Sequence, residues 1–234
     1  MPLRLGVDLD GVLADMEGEL SRQADILFGP STPNDVCAAA AAAGDPSEVS
    51  PGSPVAFRLR LTMAQRKQLW RHVRGIDGFW EQLNEIEPGT VARLGEVATE
   101  RRWEVIFLTK RPATAGATAQ QQSQRWLHAH GFPLPSVFTV NTSRGKIAAA
   151  LALDVVVDDS LDNCLDVVND SKACAIGVLR HAAGDLSAHA RLGIDVVRSA
   201  AECLQLLCDI DARQKRPGAI GRVLRTLGLK PSGV

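Results

Sequence analysis

Short apolar runs alternate along most of this chain with segments of helical spacing, and this alternation constrains the fold more than any other feature. Apolar runs of this length are typical of strands that are buried on both faces of a parallel sheet. Strands joined by helices form right-handed crossovers, which cover the sheet on both sides. We therefore predict a three-layer α/β fold. Its strands are predicted at 3–7, 103–109, 136–140, 154–157 and 173–179.

One long segment interrupts this rhythm directly after the first predicted strand. A helix is predicted from Val12 to Phe28, and a second one begins after Thr62 as its N-cap and stops at Gly75. Between them, prolines and an alanine run favour irregular structure around 29–56. The prediction has three parts: an α/β core at 1–14 and 86–212, a small, mainly helical cap inserted at 15–85, and a basic tail at 213–234.

The composition narrows the classes of partner. Lys and Arg total 26 against 27 Asp and Glu, which argues against a duplex-DNA binder that relies on a basic field. With no Tyr, 6 Phe and 4 Trp, an aromatic platform for single-stranded nucleic acid is not expected. No apolar run approaches the roughly 18 residues of a membrane span, and five cysteines without a C-x-x-C pair fit reduced thiols. We expect a cytoplasmic protein without membrane contact, and a homodimer stays open.

Polar residues follow the predicted strands at the edge of the sheet where ligands bind in open parallel sheets. Each of them alone has an ordinary explanation, such as a turn, a surface lysine or a helix N-terminus favoured by its dipole. Their combination at one edge favours a functional site instead. The set comprises Asp8 and Asp10 after the first strand, Thr109, Lys110 and Arg111 after the second, Lys146 near a helix start, and Asp158 and Asp159 after the fourth.

These residues resemble the four motifs of the haloacid dehalogenase (HAD) superfamily of phosphohydrolases. The motifs correspond to DLDGVLAD at 8–15, VIFLT at 105–109, Lys146, and VVVDDS at 155–160. The resemblance implies a Rossmann-like core with a cap inserted after the first strand. It also implies a phosphatase that hydrolyses phosphomonoesters.

The resemblance assigns a role to each motif. Asp8 would attack phosphorus to form an aspartyl-phosphate, which water then hydrolyses. Asp10 would protonate the leaving oxygen and later activate water. Thr109 would hold a phosphoryl oxygen, and Lys146 would neutralise Asp8 and the phosphate.

The same resemblance implies a Mg²⁺ cofactor, since hard oxygen ligands suit that ion. The family binds it through the side chain of the first aspartate, the backbone carbonyl of the second, and an acid of the fourth motif. Asp8 and Asp10 fill the first two positions. We predict Asp159 as the acid in direct contact and Asp158 as an indirect or water-mediated ligand, and the choice between them stays open.

A closer resemblance comes from GFWEQL at 78–83 and IEPGTV at 86–91, which is similar to a passage of the 5′(3′)-deoxyribonucleotidases. In that group the aromatic pair helps to form the nucleotide pocket. Phe79 and Trp80 are therefore candidates for binding a nucleotide, and the alternative is that they pack the cap against the core. A small phosphorylated substrate, with a nucleotide as the first candidate, follows from this resemblance.

The second motif departs from that group. It reads Thr109-Lys110-Arg111-Pro112, which is more similar to Thr-x-Arg-Pro in other members, including polynucleotide 3′-phosphatases. Lys110 and Arg111 are thus candidate substrate contacts: Arg111 would bind a second phosphate or a nucleic-acid end, or would pair with surface acids. A sugar-phosphate phosphatase, a 3′-end phosphatase and a non-catalytic nucleotide-binding protein remain alternatives, and the presence of Asp10 argues against the last.

Overall fold

The structure is a computed structural model that describes residues 2–29, 61–180 and 187–215. The predicted irregular part of the cap and most of the basic tail lie outside these residues. Within them, the predicted three-layer α/β architecture is confirmed.

The sheet has six strands, all neighbouring pairs are parallel, and their order is β3-β2-β1-β4-β5-β6. The strands are β1 Arg4–Asp8, β2 Glu104–Thr109, β3 Ser136–Thr139, β4 Val155–Asp158, β5 Cys174–Val178 and β6 Ile194–Val197. The first five match predicted strands. β6 lies outside every predicted strand, because Asp195 interrupts its short apolar run. The chain proceeds from β1 in one direction and from β4 in the other, so the crevice expected at a switch point lies beside β1.

Eight α-helices and one 3₁₀ turn flank this sheet in the described part of the chain. The helices are α1 Met16–Phe28, α2 Met63–Arg74, α3 Thr90–Arg101, α4 Ala119–Ala129, α5 Arg144–Ala150, α6 Leu161–Asp170, α7 Ser187–Ala190 and α8 Ala200–Lys215, and the 3₁₀ turn is Phe79–Glu81. The predicted second cap helix is confirmed, with Thr62 and Gln65 forming a capping box and Gly75 ending it. None of the described helices has the length and apolarity needed to cross a bilayer.

Both faces of the sheet are covered, because successive strand residues point to opposite sides. Leu108 and Val156 belong to a buried cluster with residues of α5 and α6. Phe107 and Val157 belong to a second cluster, which includes residues of α3, α4 and α8. The sheet thus separates two hydrophobic layers and leaves its carboxyl edge as the place for polar residues.

The inserted segment leaves and rejoins the core at adjacent points. The Asp15 N–H donates to the Asn84 carbonyl at 2.9 Å, and the Ile86 N–H donates to the Leu13 carbonyl at 2.9 Å. The first predicted helix begins at Met16 rather than Val12, because the Asp15 side chain caps it. The inserted segment that carries α1 and α2 is therefore joined to the core by a pair of antiparallel connections shortly after the end of β1.

Candidate active site

Three neighbouring strands and one helix bring four buried polar residues together at the carboxyl edge. Asp8 ends β1, Thr109 ends β2 and Asp158 ends β4, while Arg144 is the first residue of α5. All four are buried. Burying several charged groups is costly unless they are paired, so the contacts among them determine what the site can do.

Arg144 connects two of the aspartates. Its Nη2 atom donates to Asp8 Oδ1 and, at 3.2 Å, to the Leu108 carbonyl. Its Nε atom donates to Asp158 Oδ2 at 3.1 Å. The Nη1 atom is buried and has no hydrogen-bond partner among the described residues. A buried donor without an acceptor is unfavourable by about 1–3 kcal/mol, so a bound acceptor at this nitrogen would stabilise the site.

Arg144 occupies the position predicted for Lys146. The Lys146 side chain is exposed, and the predicted contact of Lys146 with Asp8 is therefore corrected. Ser143 caps α5, so Arg144 is its first residue and Lys146 its third. Residues two apart on a helix point about 200° away from each other, so only one of them can face the strand ends. In the sequence, the feature that marks Arg144 is its position directly after Ser143, the N-cap of α5.

The acids of the fourth motif differ in their surroundings. Asp158 accepts hydrogen bonds from the Ser160 N–H at 3.0 Å and from Asn163 Nδ2 at 2.9 and 3.0 Å, in addition to the one from Arg144. Its carboxylate thus accepts four hydrogen bonds from the protein. Asp159 lies against Gly11, where a Cβ atom would come within 2.1 Å of Asp159 Oδ2. The glycine, with φ of +83°, allows this close approach.

Asp8, Asp158 and Asp159 form a cluster that could hold a metal ion. Each offers one carboxylate oxygen, and these oxygens lie within 4.8 Å of one another. Burial raises the pKa of Asp8 well above its ordinary value, and the charge of Asp158 adds to this effect, while Arg144 opposes it without cancelling it. A divalent cation would offset this excess of negative charge, and an all-oxygen donor set suits a hard ion such as Mg²⁺.

Asp10 lies beside this cluster in contact with two predicted residues. The Thr109 hydroxyl donates to Asp10 Oδ2 at 3.2 Å. The role of this hydroxyl as a donor to a phosphoryl oxygen stays a prediction. Arg111 Nη2 donates to Asp10 Oδ1 at 2.7 Å.

Arg111 is buried, with 5% of its surface exposed, so the prediction that it contacts a substrate phosphate or a nucleic-acid end is corrected. It does pair with an acid, but this is Asp10 in the site and not a surface acid. In the sequence, the feature that indicates this is the alternation of side chains along an extended chain. It places Thr109 and Arg111 on one side and Lys110 on the other. Lys110 is exposed, and its Nζ atom donates to Asn163 Oδ1 at 3.2 Å at the edge of the site.

Phe79 and Trp80 are completely buried and cannot stack on a base in this structure. Their rings meet edge to face with centroids 4.8 Å apart. The Trp80 N–H donates to Gln122 Oε1 of α4 at 3.0 Å, and Trp80 Nε1 donates to the Pro112 carbonyl at 3.0 Å. These contacts match the packing alternative, in which the pair fastens the inserted segment to the core.

The loop after β1 depends on a residue that the motifs do not include. Arg180 follows β5 and donates to the carbonyls of Gly11 at 2.9 Å and Val12 at 3.0 Å. It also pairs with Glu87 at 2.6 Å, and Glu87 accepts from the Ala200 N–H at the start of α8. This network fixes the turn that carries Asp10. No local pattern marks it, because its members are far apart in the sequence.

This fold and this edge of aspartates define a class, the HAD-like phosphohydrolases. Solved structures of similar fold include a hydrolase from Pseudomonas syringae, with 17% identity and a TM-score of 0.50 over 89% of this chain and 99% of that chain. A HAD-like protein from Streptococcus pneumoniae has 13% identity and a TM-score of 0.51 over 88% and 98%. A HAD family hydrolase from Deinococcus radiodurans R1 has 16% identity and a TM-score of 0.50 over 89% and 96%.

The family follows from a sequence match over residues 2–191. This match is to the model for 5′ nucleotidase, deoxy (Pyrimidine), cytosolic type C protein, and the chain belongs to that family. It is therefore a phosphatase of the HAD-like nucleotidase type. No curated protein matches the chain in sequence.

Proposed function

We propose that this enzyme is a Mg²⁺-dependent 5′-nucleotidase that hydrolyses nucleoside monophosphates through a phosphorylated Asp8. One observation carries the proposal: Asp8 is buried among two further carboxylates and an arginine with a free donor. The three carboxylates carry more negative charge than Arg144 can neutralise. The Nη1 atom of Arg144 is in addition a hydrogen-bond donor that has no acceptor among the described residues, and an anion would supply one. A divalent cation and a phosphate together would satisfy both.

Asp8 is the proposed nucleophile. One of its oxygens forms a bond to phosphorus while the bond from phosphorus to the sugar oxygen breaks. The Nη1 atom of Arg144 donates to a phosphoryl oxygen, which gives this buried nitrogen the acceptor that the protein does not supply. Arg144 also keeps Asp8 in place through its contact with Oδ1.

Asp10 is the proposed acid and base. It gives a proton to the departing sugar oxygen, and the carboxylate then takes a proton from the water that attacks the phosphorylated Asp8. Its place two residues after Asp8, beyond the strand end, supports this role because it puts a second carboxyl group beside the nucleophile. Its side chain is 11% exposed, which leaves it accessible from the site.

The proposed Mg²⁺ ligands are the carboxylates of Asp8 and Asp159 and the backbone carbonyl of Asp10. Asp158 is assigned to holding the site together, since its oxygens already accept hydrogen bonds from Ser160, Asn163 and Arg144. When bound, the ion would neutralise charge on the phosphoryl oxygens during transfer.

The proposed substrate class is a pyrimidine deoxyribonucleoside 5′-monophosphate, in line with the family to which the chain belongs. The alternative of a nucleic-acid 3′ end depended on Arg111 and the basic tail. Arg111 is buried, and the tail from residue 216 lies outside the described residues. A sugar phosphate remains the alternative within the same chemistry, with Lys110 at the edge of the site available to either substrate.

A panel of phosphomonoesters assayed with Mg²⁺ and with EDTA tests the proposal. We expect pyrimidine deoxyribonucleotides to give the highest kcat/KM, and EDTA to abolish turnover until Mg²⁺ is restored. Higher kcat/KM for a sugar phosphate or a 3′-phosphorylated oligonucleotide would contradict the substrate class. Full activity in EDTA, with metal removal verified by elemental analysis, would contradict the metal assignment.

A further inference from the structure

A second arginine–aspartate pair lies beside the nucleophile, and its buried arginine, Arg111, has no part in the steps described so far. Arg111 Nη2 lies 2.7 Å from Asp10 Oδ1, and Arg111 Nε lies 3.0 Å from Asp10 Oδ2. The side chain of Arg111 is fully buried, whereas that of Asp10 remains 11% exposed. Arg111 therefore does not reach the substrate, but it contacts both oxygens of the proposed acid.

Arg111 is itself held on its other sides. Its Nη1 atom donates to Ser123 Oγ of α4 at 2.9 Å. The guanidinium carbon lies 4.9 Å from the centre of the Trp80 ring, within the range of a cation–π contact. Trp80 is fixed in turn by its bond to the Pro112 carbonyl. The arginine is thus a rigid support between α4, the inserted segment and Asp10.

A contribution to fold stability is a poor explanation for such a pair. Burying two charges removes them from water, and apolar side chains of similar volume often serve a fold as well or better. A two-pronged arginine contact does something that apolar packing does not do, because it fixes the plane of a carboxylate. The geometry is therefore suited to orienting Asp10.

We propose that Arg111 is a positioning residue that directs the Asp10 carboxyl group at the leaving oxygen. The inference rests on the proposed acid role of Asp10. In the step concerned, an Asp8 oxygen bonds to phosphorus, the bond from phosphorus to the leaving oxygen breaks, and the proton of Asp10 moves to that oxygen. Arg111 exchanges no proton and acts only by holding Asp10.

Two substrates with different needs for an acid test this inference. The sugar oxygen of a pyrimidine deoxyribonucleoside 5′-monophosphate needs a proton to leave, whereas the phenolate of p-nitrophenyl phosphate leaves without one. The quantity to measure is kcat/KM, which reports the steps up to departure of the leaving group. We expect Arg111→Gln to lower it about 100-fold for the nucleotide and less than about fivefold for p-nitrophenyl phosphate. Arg111→Lys, which keeps the charge without the two-pronged contact, should give a smaller loss on the nucleotide.

The controls separate orientation of Asp10 from damage to the fold. Arg125→Gln removes an exposed arginine of α4 that pairs with Glu81 of the inserted segment, and should leave both kcat/KM values unchanged. The double variant Asp10→Asn/Arg111→Gln should be no slower on the nucleotide than Asp10→Asn alone. If Arg111→Gln does not fold, Ser123→Ala removes one support of Arg111 and should slow the nucleotide reaction selectively, by about threefold.

Four results would overturn the inference. One is an equal loss on both substrates in the folded Arg111 or Ser123 variant. Another is a further loss when Arg111→Gln is added to Asp10→Asn. The third is an equal loss on both substrates in Asp10→Asn, which would remove the acid role of Asp10 and this inference with it. A selective loss in Asp10→Asn that is missing from Arg111→Gln would leave the proposed function intact and remove the inference alone.

Discussion

Two arginine–aspartate contacts, each with a buried arginine, lie side by side in this enzyme, and they differ in what they leave unsatisfied. Arg144 pairs with Asp8 and Asp158, Asp159 brings a third carboxylate nearby, and the Arg144 Nη1 atom has no partner among the described residues. Arg111 pairs with Asp10 alone, and its Nη1 atom is bonded to Ser123. In the proposed function a cation and an anion would complete the first contact, whereas the second is complete without a ligand. The difference separates an arginine proposed to bind the substrate, Arg144, from an arginine proposed to hold a catalytic side chain in place, Arg111.

The largest effect is expected at the nucleophile. Asp8→Asn keeps the size of the side chain and removes its ability to form the phosphorylated intermediate. We expect kcat to fall by about 10⁴-fold or more on every phosphomonoester, with near-native circular dichroism. Turnover near the wild-type rate in Mg²⁺-containing buffer would show that another residue attacks phosphorus.

The next effect compares Arg144 with Lys146. Arg144→Gln removes the buried cation and its free donor, so we expect kcat/KM to fall by about 100-fold to 1,000-fold. Loss of a buried partner should also lower the free energy of unfolding by about 3–5 kcal/mol, measured by urea denaturation. Lys146→Gln changes an exposed side chain and should lose at least about tenfold less activity. An equal or larger loss in Lys146→Gln would return the phosphate-binding role to the lysine.

The sequence was sufficient wherever a feature depends on where a strand ends. Asp8, Thr109 and Asp158 were located because a predicted strand ends where its apolar run stops, and parallel strands end at the same edge of the sheet. Arg144 and the burial of Arg111 needed more. The role of Arg144 depends on the rotation of α5 about its axis, since residues two positions apart lie on opposite faces of a helix. The burial of Arg111 depends on the packing of Trp80, which comes from a distant segment. The local signals at these two positions, a cation next to an N-cap and the alternation after β2, do not identify the contacting residues, because those lie far away in the sequence.

A smaller effect on activity is expected from a substitution of Gly11, in the turn after β1 that follows Asp8 and Asp10. Gly11→Ala adds a methyl group 2.1 Å from Asp159 Oδ2 and should displace a proposed Mg²⁺ ligand. We expect the Mg²⁺ concentration for half-maximal activity to rise about tenfold. Gly89→Ala is the matched control, because Gly89 has nearly the same positive φ, +84°, and nothing within 4 Å of the added atom. Both variants should lose about 1–2 kcal/mol of stability, and only Gly11→Ala should need more Mg²⁺.

The smallest effect on catalysis is expected at the aromatic pair beside Arg111. Phe79 is completely buried, so Phe79→Leu should lower the free energy of unfolding by about 1–3 kcal/mol. Because the ring does not reach the site, KM for a pyrimidine nucleotide should change by less than about twofold. Phe138→Leu is the control, since this ring is 45% exposed on β3 and its loss should cost less than about 0.5 kcal/mol. A KM increase in Phe79→Leu at unchanged stability would mean that the aromatic pair contacts the base, and that the inserted segment moves when a nucleotide binds.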